Sequence, residues 1–127
     1  MGEHEHEQIM KELSEQFQPL FQNSPDGIYL YLDEVHKTCS ERLAKMFGLG
    51  VQEWEAMHGF VNKHVAQEDQ ERFINNYYEH VHQNLTPIRF RFAGVRKDGS
   101  TFKGETDLIP LPWAGETLAF HFVREVK

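Results

Sequence analysis

The sequence predicts an α+β chain, with helices gathered over one side of an antiparallel sheet. Three observations carry that expectation. At Pro87 the apolar period changes from the three- and four-residue spacing of a helix to strict alternation. Two hairpins then follow in succession, and strands joined by hairpins pair antiparallel. A separate apolar strand, 28-IYLYL-32, stands well before them and needs cover on both of its faces.

The elements follow in order. Residues 7–18 place Met10, Leu13 and Phe17 on one helical face, and the stripe continues in register at Leu20, although Pro19 limits the run. The stripe has too few heptads for a free-standing coiled coil, so it rests on the body of the domain or on a second copy of itself. Met10, Leu13, Phe17 and Leu20 are accordingly the candidate dimer or transmission face. Residues 1–19 form this amphipathic unit, with a disordered acidic start, and 20–127 form the body. SPDG at 24–27 is a turn signal before IYLYL, in which Ile28, Leu30 and Leu32 face one way and Tyr29 and Tyr31 the other.

Asp33 and Glu34 mark a tight turn, and a short strand fits 35–39. Ser40 is placed as an N-cap with Glu41 in the first turn, Leu43, Met46 and Phe47 share a face, and Gly48 supplies a left-handed stop. A second short helix fits 51–58, with Trp54 and Met57 inward. The longest body helix fits 68–83, striped by Phe73, Tyr77 and Val81 and flanked by Ile74 and Tyr78. Beyond Pro87, Ile88, Phe90 and Phe92 alternate with Arg89 and Arg91, and KDG at 97–99 turns the chain. The next strand runs through Phe102 towards Leu108, PLPWAGE makes a longer connection, and the last strand spans 117–126.

Composition narrows the function classes. A chain of 127 residues fits one domain. With 13 basic against 20 acidic residues, its net charge of −7 repels phosphate backbones and argues against general nucleic-acid binding. A single cysteine forms no internal disulfide, which suits a reducing cytosol. MGEHEHEQ lacks the pattern of a secretory signal, Glu7 breaks the myristoylation pattern, and IYLYL is too short to span a bilayer. The expectation is a cytoplasmic domain engaging neither membrane nor nucleic acid.

The ordered run SPDGIYLYL, CSERLAKMFG, VAQEDQERF, IRFRFAGVRKDGSTF and AFHFVREV resembles a PAS domain over about residues 20–126. Ala66 and Gln67 stand where that family often has His-Pro, Ser40 where it usually has Asn, and Glu125-Val126-Lys127 where it often closes with Asp-x-Thr. The resemblance implies a five-stranded antiparallel sheet in the order 2-1-5-4-3, with short helices and one longer helix enclosing a cavity over one face. It also implies sensing of small molecules, light or redox state, or pairing, usually through dimers, and very few members are enzymes.

Reactive groups are sparse. Cys39 precedes a helix start and lies near His36 and Lys37, which favours a thiolate, but it falls at a corner where the family places a packing residue, and packing is the preferred reading. His4 and His6 are read as adventitious chelators at most, and His80 and His82, two apart on a helix, point to nearly opposite sides, so no metal site is expected. Haem-binding relatives supply an axial histidine from the longer helix; the corresponding position here is Phe73, and His64 and His80 match no motif. Light-sensing flavin relatives carry a cysteine in GxNCR, whereas GFVNK at 59–63 has Asn62 in its place. Neither haem nor flavin is supported, and the cofactor is left unknown.

Phe47, Trp54, Phe60, Phe73, Tyr77, Phe90 and Phe120 are the candidate walls of an apolar pocket, with Asn62, Thr106, Tyr77 and Tyr78 as polar anchors. The leading expectation is a sensory or regulatory module of signal transduction that is not an enzyme. It binds an unidentified small apolar molecule, acts through a homodimer and addresses a downstream signalling protein. Two rivals stand beside it: a ligand-free protein-interaction module of the same fold, and a small cone-shaped isomerase or hydratase using Asp107 or Glu105 beside a tyrosine.

Overall fold

The computed structural model describes residues 3–127. Helices α1 (Glu3–Gln16) and α2 (Gln18–Asn23) precede strands β1 (Gly27–Tyr31) and β2 (Lys37–Cys39). Four short helices follow: α3 (Glu41–Met46), α4 (Val51–Ala56), α5 (Phe60–His64) and α6 (Gln67–Tyr77). A π-helical turn (Tyr78–Gln83) extends α6, and β3 (Ile88–Val95), β4 (Thr101–Trp113) and β5 (Glu116–Glu125) complete the chain. The strands form one antiparallel five-stranded sheet in the order β2-β1-β5-β4-β3, as expected.

Strand alternation sorts the apolar residues into two cores. On the outer face, Ile28, Leu30, Leu32, Leu118 and Phe120 pack against Ile9, Met10 and Leu13 of α1 and Phe21 of α2. On the inner face, Tyr29, Ala119 and Val123 meet Leu43, Phe47, Trp54, Phe60, Phe73 and Val81 from the helices. IYLYL is thus covered on both sides, and α1 is one of the covers.

The stripe of α1, expected to rest on the body of the domain or on a second copy, rests on its own sheet within the chain, which leaves Met10 and Leu13 no surface for a dimer face. Leu13 is wholly buried and Met10 nearly so, while Phe17 and Leu20 are half-buried at the edge of the same core, with the Phe17 ring 5.2 Å from Phe120. Without α1 the row Ile28, Leu30, Leu118 and Phe120 would face water, so burial within the chain claims these side chains first. The division expected between residues 19 and 20 falls inside α2. Pro19 lies in its first turn, where the missing N–H is not needed, so the chain resumes a helix rather than leaving it. His4 and His6, expected in a disordered start, lie within α1.

At the β2–α3 corner Ser40 caps as expected: its Oγ accepts from the N–H of Leu43 at 3.2 Å and of Ile28 at 3.0 Å. Cys39 beside it is buried in the inner core, and burial pushes its thiol pKa well up, away from thiolate chemistry. PLPWAGE is no loop. The strand β4 continues through it to Trp113, paired with β5 as far as Trp113–Glu116. Pro110 and Pro112 are tolerated because β3 has already ended at the pair Ile88–Leu108, so a proline facing that side forfeits no ladder bond. Helix α5, a segment to which the sequence pattern assigned no element, follows Gly59 in a left-handed conformation, φ 76°.

Candidate functional site

The inner face holds a partly open cavity of about 190 Å³ between β1, β5 and helices α4, α5 and α6. Alternation on the two central strands supplies its floor: Tyr29 and Tyr31 from β1, Ala119 and His121 from β5. Trp54, Phe60, Phe73 and Tyr77 form the walls, and Glu34, Lys37, Asn62 and Tyr78 stand around the lining's polar side.

His121 is the central polar group. Its ring stacks on Tyr29 (centroids 4.2 Å apart, planes 10° apart) and, on α6, on Phe73 (5.7 Å, 12°). Tyr29 and His121 are direct cross-strand neighbours, which is why the rings lie parallel. The hydroxyl of Thr106 sits 2.8 Å from His121 Nδ1 and orients the imidazole. Complete burial pushes the His121 pKa down to about 3, so the ring is neutral near pH 7.

Burial also pushes the Tyr29 and Tyr31 hydroxyls up, and raises Tyr77 to about 12, so all three present O–H groups at neutral pH. Lys37 is buried at the mouth, donating to the carbonyls of Glu34 (2.7 Å) and Met57, with Glu34 Oε2 at 3.4 Å. Its donors are occupied. The indole N–H of Trp54 is not: it is buried and has no partner among the described residues, and a buried donor left unpaired is destabilising.

Six residues anticipated from sequence line the cavity: Trp54, Phe60, Asn62, Phe73, Tyr77 and Tyr78. Phe47 and Phe90 belong to the same core without reaching the lining, and Thr106 acts behind His121. Phe120 is a correction. It faces the outer core, against Phe17 and 4.8 Å from Phe122, because its position on β5 has the opposite parity to Ala119 and His121. Tyr29, Tyr31 and His121 were missed as lining residues. The signal was present in 117-TLAFHFVREV-126: once Leu118 and Phe120 are given to α1, His121 must point inward.

The carboxylates weighed for acid–base chemistry lie away from the cavity, in a charged ladder on the outer side of β3, β4 and β5. Arg124 bonds Asp26, Glu105 and Asp107, Arg89 bonds Asp107 at 2.6 Å, and Arg91 approaches Glu105 at 3.3 Å. The Arg124 guanidinium holds Glu105, and Arg89 with Arg124 holds Asp107, below the usual carboxylate range. The histidines weighed for haem are engaged elsewhere: His64 Nδ1 lies 2.7 Å from the Val95 carbonyl and His80 Nδ1 2.9 Å from that of Thr86.

A family profile described as PAS fold matches residues 36–118, and with the strand order this places the chain in the PAS-fold family. Solved structures agree in fold. A PAS domain of a two-component sensor histidine kinase is 19% identical, with a TM-score of 0.68, covering 91% of this chain and 99% of the other. A PAS domain of an HTR-like protein from Haloarcula marismortui is 22% identical, with a TM-score of 0.65, over 97% and 99%. The PAS domain of a LuxR-family transcriptional regulator from Burkholderia thailandensis, solved in complex with ethanol, is 16% identical, with a TM-score of 0.66, over 87% and 96%. No curated protein matches the chain by sequence. Among the described residues, no helix is long and apolar enough to cross a membrane.

Proposed function

We propose that this chain is a sensory or regulatory module of signal transduction, without catalytic activity of its own, that binds a compact and largely apolar molecule in its inner cavity. The observation that carries the reading is the cavity's chemistry: aromatic walls around a neutral imidazole. Its 190 Å³ exceed the roughly 150 Å³ of an apolar cavity that holds benzene, so the space suits a single-ring molecule. Family membership and the ethanol held by one structural relative support the same direction.

Coupling follows from where the walls attach. Tyr77 ends α6, meets Tyr31 edge-on at 5.5 Å, and its hydroxyl lies 3.0 Å from His82 Nε2 in the π-helical turn. Such turns are weak places in a helix and cluster at functional sites. A ligand pressing on Tyr77 shifts that turn, while one touching Tyr29 and His121 bears on β1 and β5, whose opposite faces carry α1. The ligand then moves an existing equilibrium by its difference in affinity for the two arrangements. A homodimer, where one forms, uses a surface other than the buried stripe of α1.

Native mass spectrometry of the freshly purified chain tests the reading: a co-purified mass below about 200 Da, or uptake of small aromatics that quenches tryptophan fluorescence, is expected. His121→Phe should weaken that uptake at least tenfold. A bare chain that takes up no ring-sized molecule would sink the sensor reading in favour of a ligand-free interaction module.

A further inference from the structure

A second cluster lies away from the cavity, where α1 crosses the β1–β2 turn. Asp33 in that turn faces two imidazoles. Its Oδ2 is 3.0 Å from Nδ1 of His6 on α1 and 3.0 Å from Nδ1 of His36. Its Oδ1 is held by the backbone N–H groups of Val35 at 2.9 Å and His36 at 2.8 Å, and also lies 2.8 Å from His36 Nδ1. One potential ligand atom from each of His6, Asp33 and His36 falls within 4.8 Å of the others. His36 is 7% exposed, and Nε2 of both imidazoles is buried without a hydrogen-bond partner among the described residues. His6 Nε2 faces Glu116 Oε2, on the β4–β5 hairpin, at 3.6 Å.

We propose that His6, Asp33 and His36 form a binding site for a borderline divalent metal ion, of the zinc, cobalt or nickel class, that staples α1 to the sheet. Two imidazoles and a carboxylate suit such ions, whereas calcium and magnesium prefer all-oxygen sites. Tetrahedral coordination at about 2.0–2.1 Å separates ligand atoms by about 3.3 Å, a few tenths beyond the present spacing around Asp33 Oδ2. The fourth position is left to water. Metal on Nδ1 places the remaining ring proton on Nε2, and for His6 that N–H then points at Glu116, the outer carboxylate that metal-bound histidines commonly use. Without an ion, imidazoles donating from Nδ1 to one carboxylate leave the His6 Nε2 lone pair facing the Glu116 carboxylate, and metal on Nδ1 turns that atom into a donor towards it. Because His6 belongs to α1 and the other two ligands to the β1–β2 turn, binding fixes the helix that covers the outer face. The spacing of these residues along the chain carries no metal motif; only the crossing of α1 over the turn brings them together.

Calorimetric titration of the full chain with zinc chloride at pH 7.5 tests the proposal, with His6→Ala, Asp33→Asn and His4→Ala beside wild type. Asp33→Asn keeps an oxygen for the turn's backbone bonds, and His6→Ala changes a side chain on the helix surface. The expected result is one equivalent bound by wild type, at least tenfold weaker binding in His6→Ala and Asp33→Asn, and no change in His4→Ala. Zinc should raise the melting temperature of wild type but not of His6→Ala, and magnesium should do neither. Binding that survives Asp33→Asn, or that disappears with His4→Ala, would assign the ion to the exposed N-terminal histidines and overturn the site; no binding by wild type overturns it outright.

Discussion

The two faces of the sheet are both covered, yet they are built from different materials. Over β1 and β5 the outer face is mainly aliphatic: Leu13, Ile28, Leu30 and Leu118 are completely buried against one another. The inner face is richer in aromatic rings, with His121 and Thr106 buried among Tyr29, Trp54, Phe60 and Phe73. Branched side chains interdigitate to crystal-like density, whereas rings set edge-on and stacked leave a gap between them and bring polar tips that need partners. The outer core is therefore a packing layer, and the inner core is where the cavity lies, on which the proposed recognition rests. Beyond α1, on β3 and β4, the outer side becomes an exposed ladder of paired charges.

The strongest way to break this contrast is Leu13→Asp. A carboxylate at a wholly buried position, facing Ile28 and Leu30, should destabilise the chain by about 3–5 kcal/mol, seen as a lowered urea midpoint. An unchanged midpoint would mean that α1 is an appendage rather than half of a core. Gly104→Ala comes next, on the inner face. A Cβ there would lie 2.7 Å from the Phe92 ring, which crosses the glycine from the paired strand and is itself packed against Phe73. A loss of about 1–3 kcal/mol is expected from overpacking, and a neutral outcome would show that the inner core has slack at that point.

Acid should distinguish the faces as well. Unfolded His121 takes up a proton near pH 6.5, while in the folded chain burial lowers that pKa to about 3. Between those values only the unfolded state gains the proton, so stability falls as pH drops below about 6.5 and is unaffected above 7. At 1.36 kcal/mol per unit, about 2 kcal/mol is lost by pH 5. Denaturant curves at pH 7.5, 6 and 5 should show this slope in wild type and a flatter one in His121→Gln; identical slopes would remove His121 from the buried floor. The smallest effect belongs to the ladder. Arg91 is 74% exposed and its partner Glu105 is held by Arg124 as well, so Arg91→Ala should change stability by no more than about 0.5 kcal/mol. A larger loss would mean that this face is covered in solution.

Much of this was legible along the chain because it depends on local periods. The alternation of IYLYL, the Ser40 cap, the KDG turn and the stripe of Met10, Leu13 and Phe17 each follow from side-chain geometry within a few residues. Six of the cavity's lining residues were legible for the same reason. The exceptions involve choices between distant partners. Phe120 and His121 are adjacent and both ring-bearing, and which one turns inward was decided by the register of β5 against β1 and by α1 taking the other face. Pro110 and Pro112 read as loop because a proline disfavours a strand, but the early end of β3 makes them acceptable.

By itself the sequence determined which segments coil, which extend and which sides of them avoid water, since those follow from covalent geometry and solvation over short spans. Tertiary structure alone decided that α1 closes over its own sheet, that His121 lies between Tyr29 and Phe73, and that His6 meets Asp33 and His36. Those outcomes depend on how residues far apart in the chain compete for the same buried surface, and no local pattern records the result of that competition.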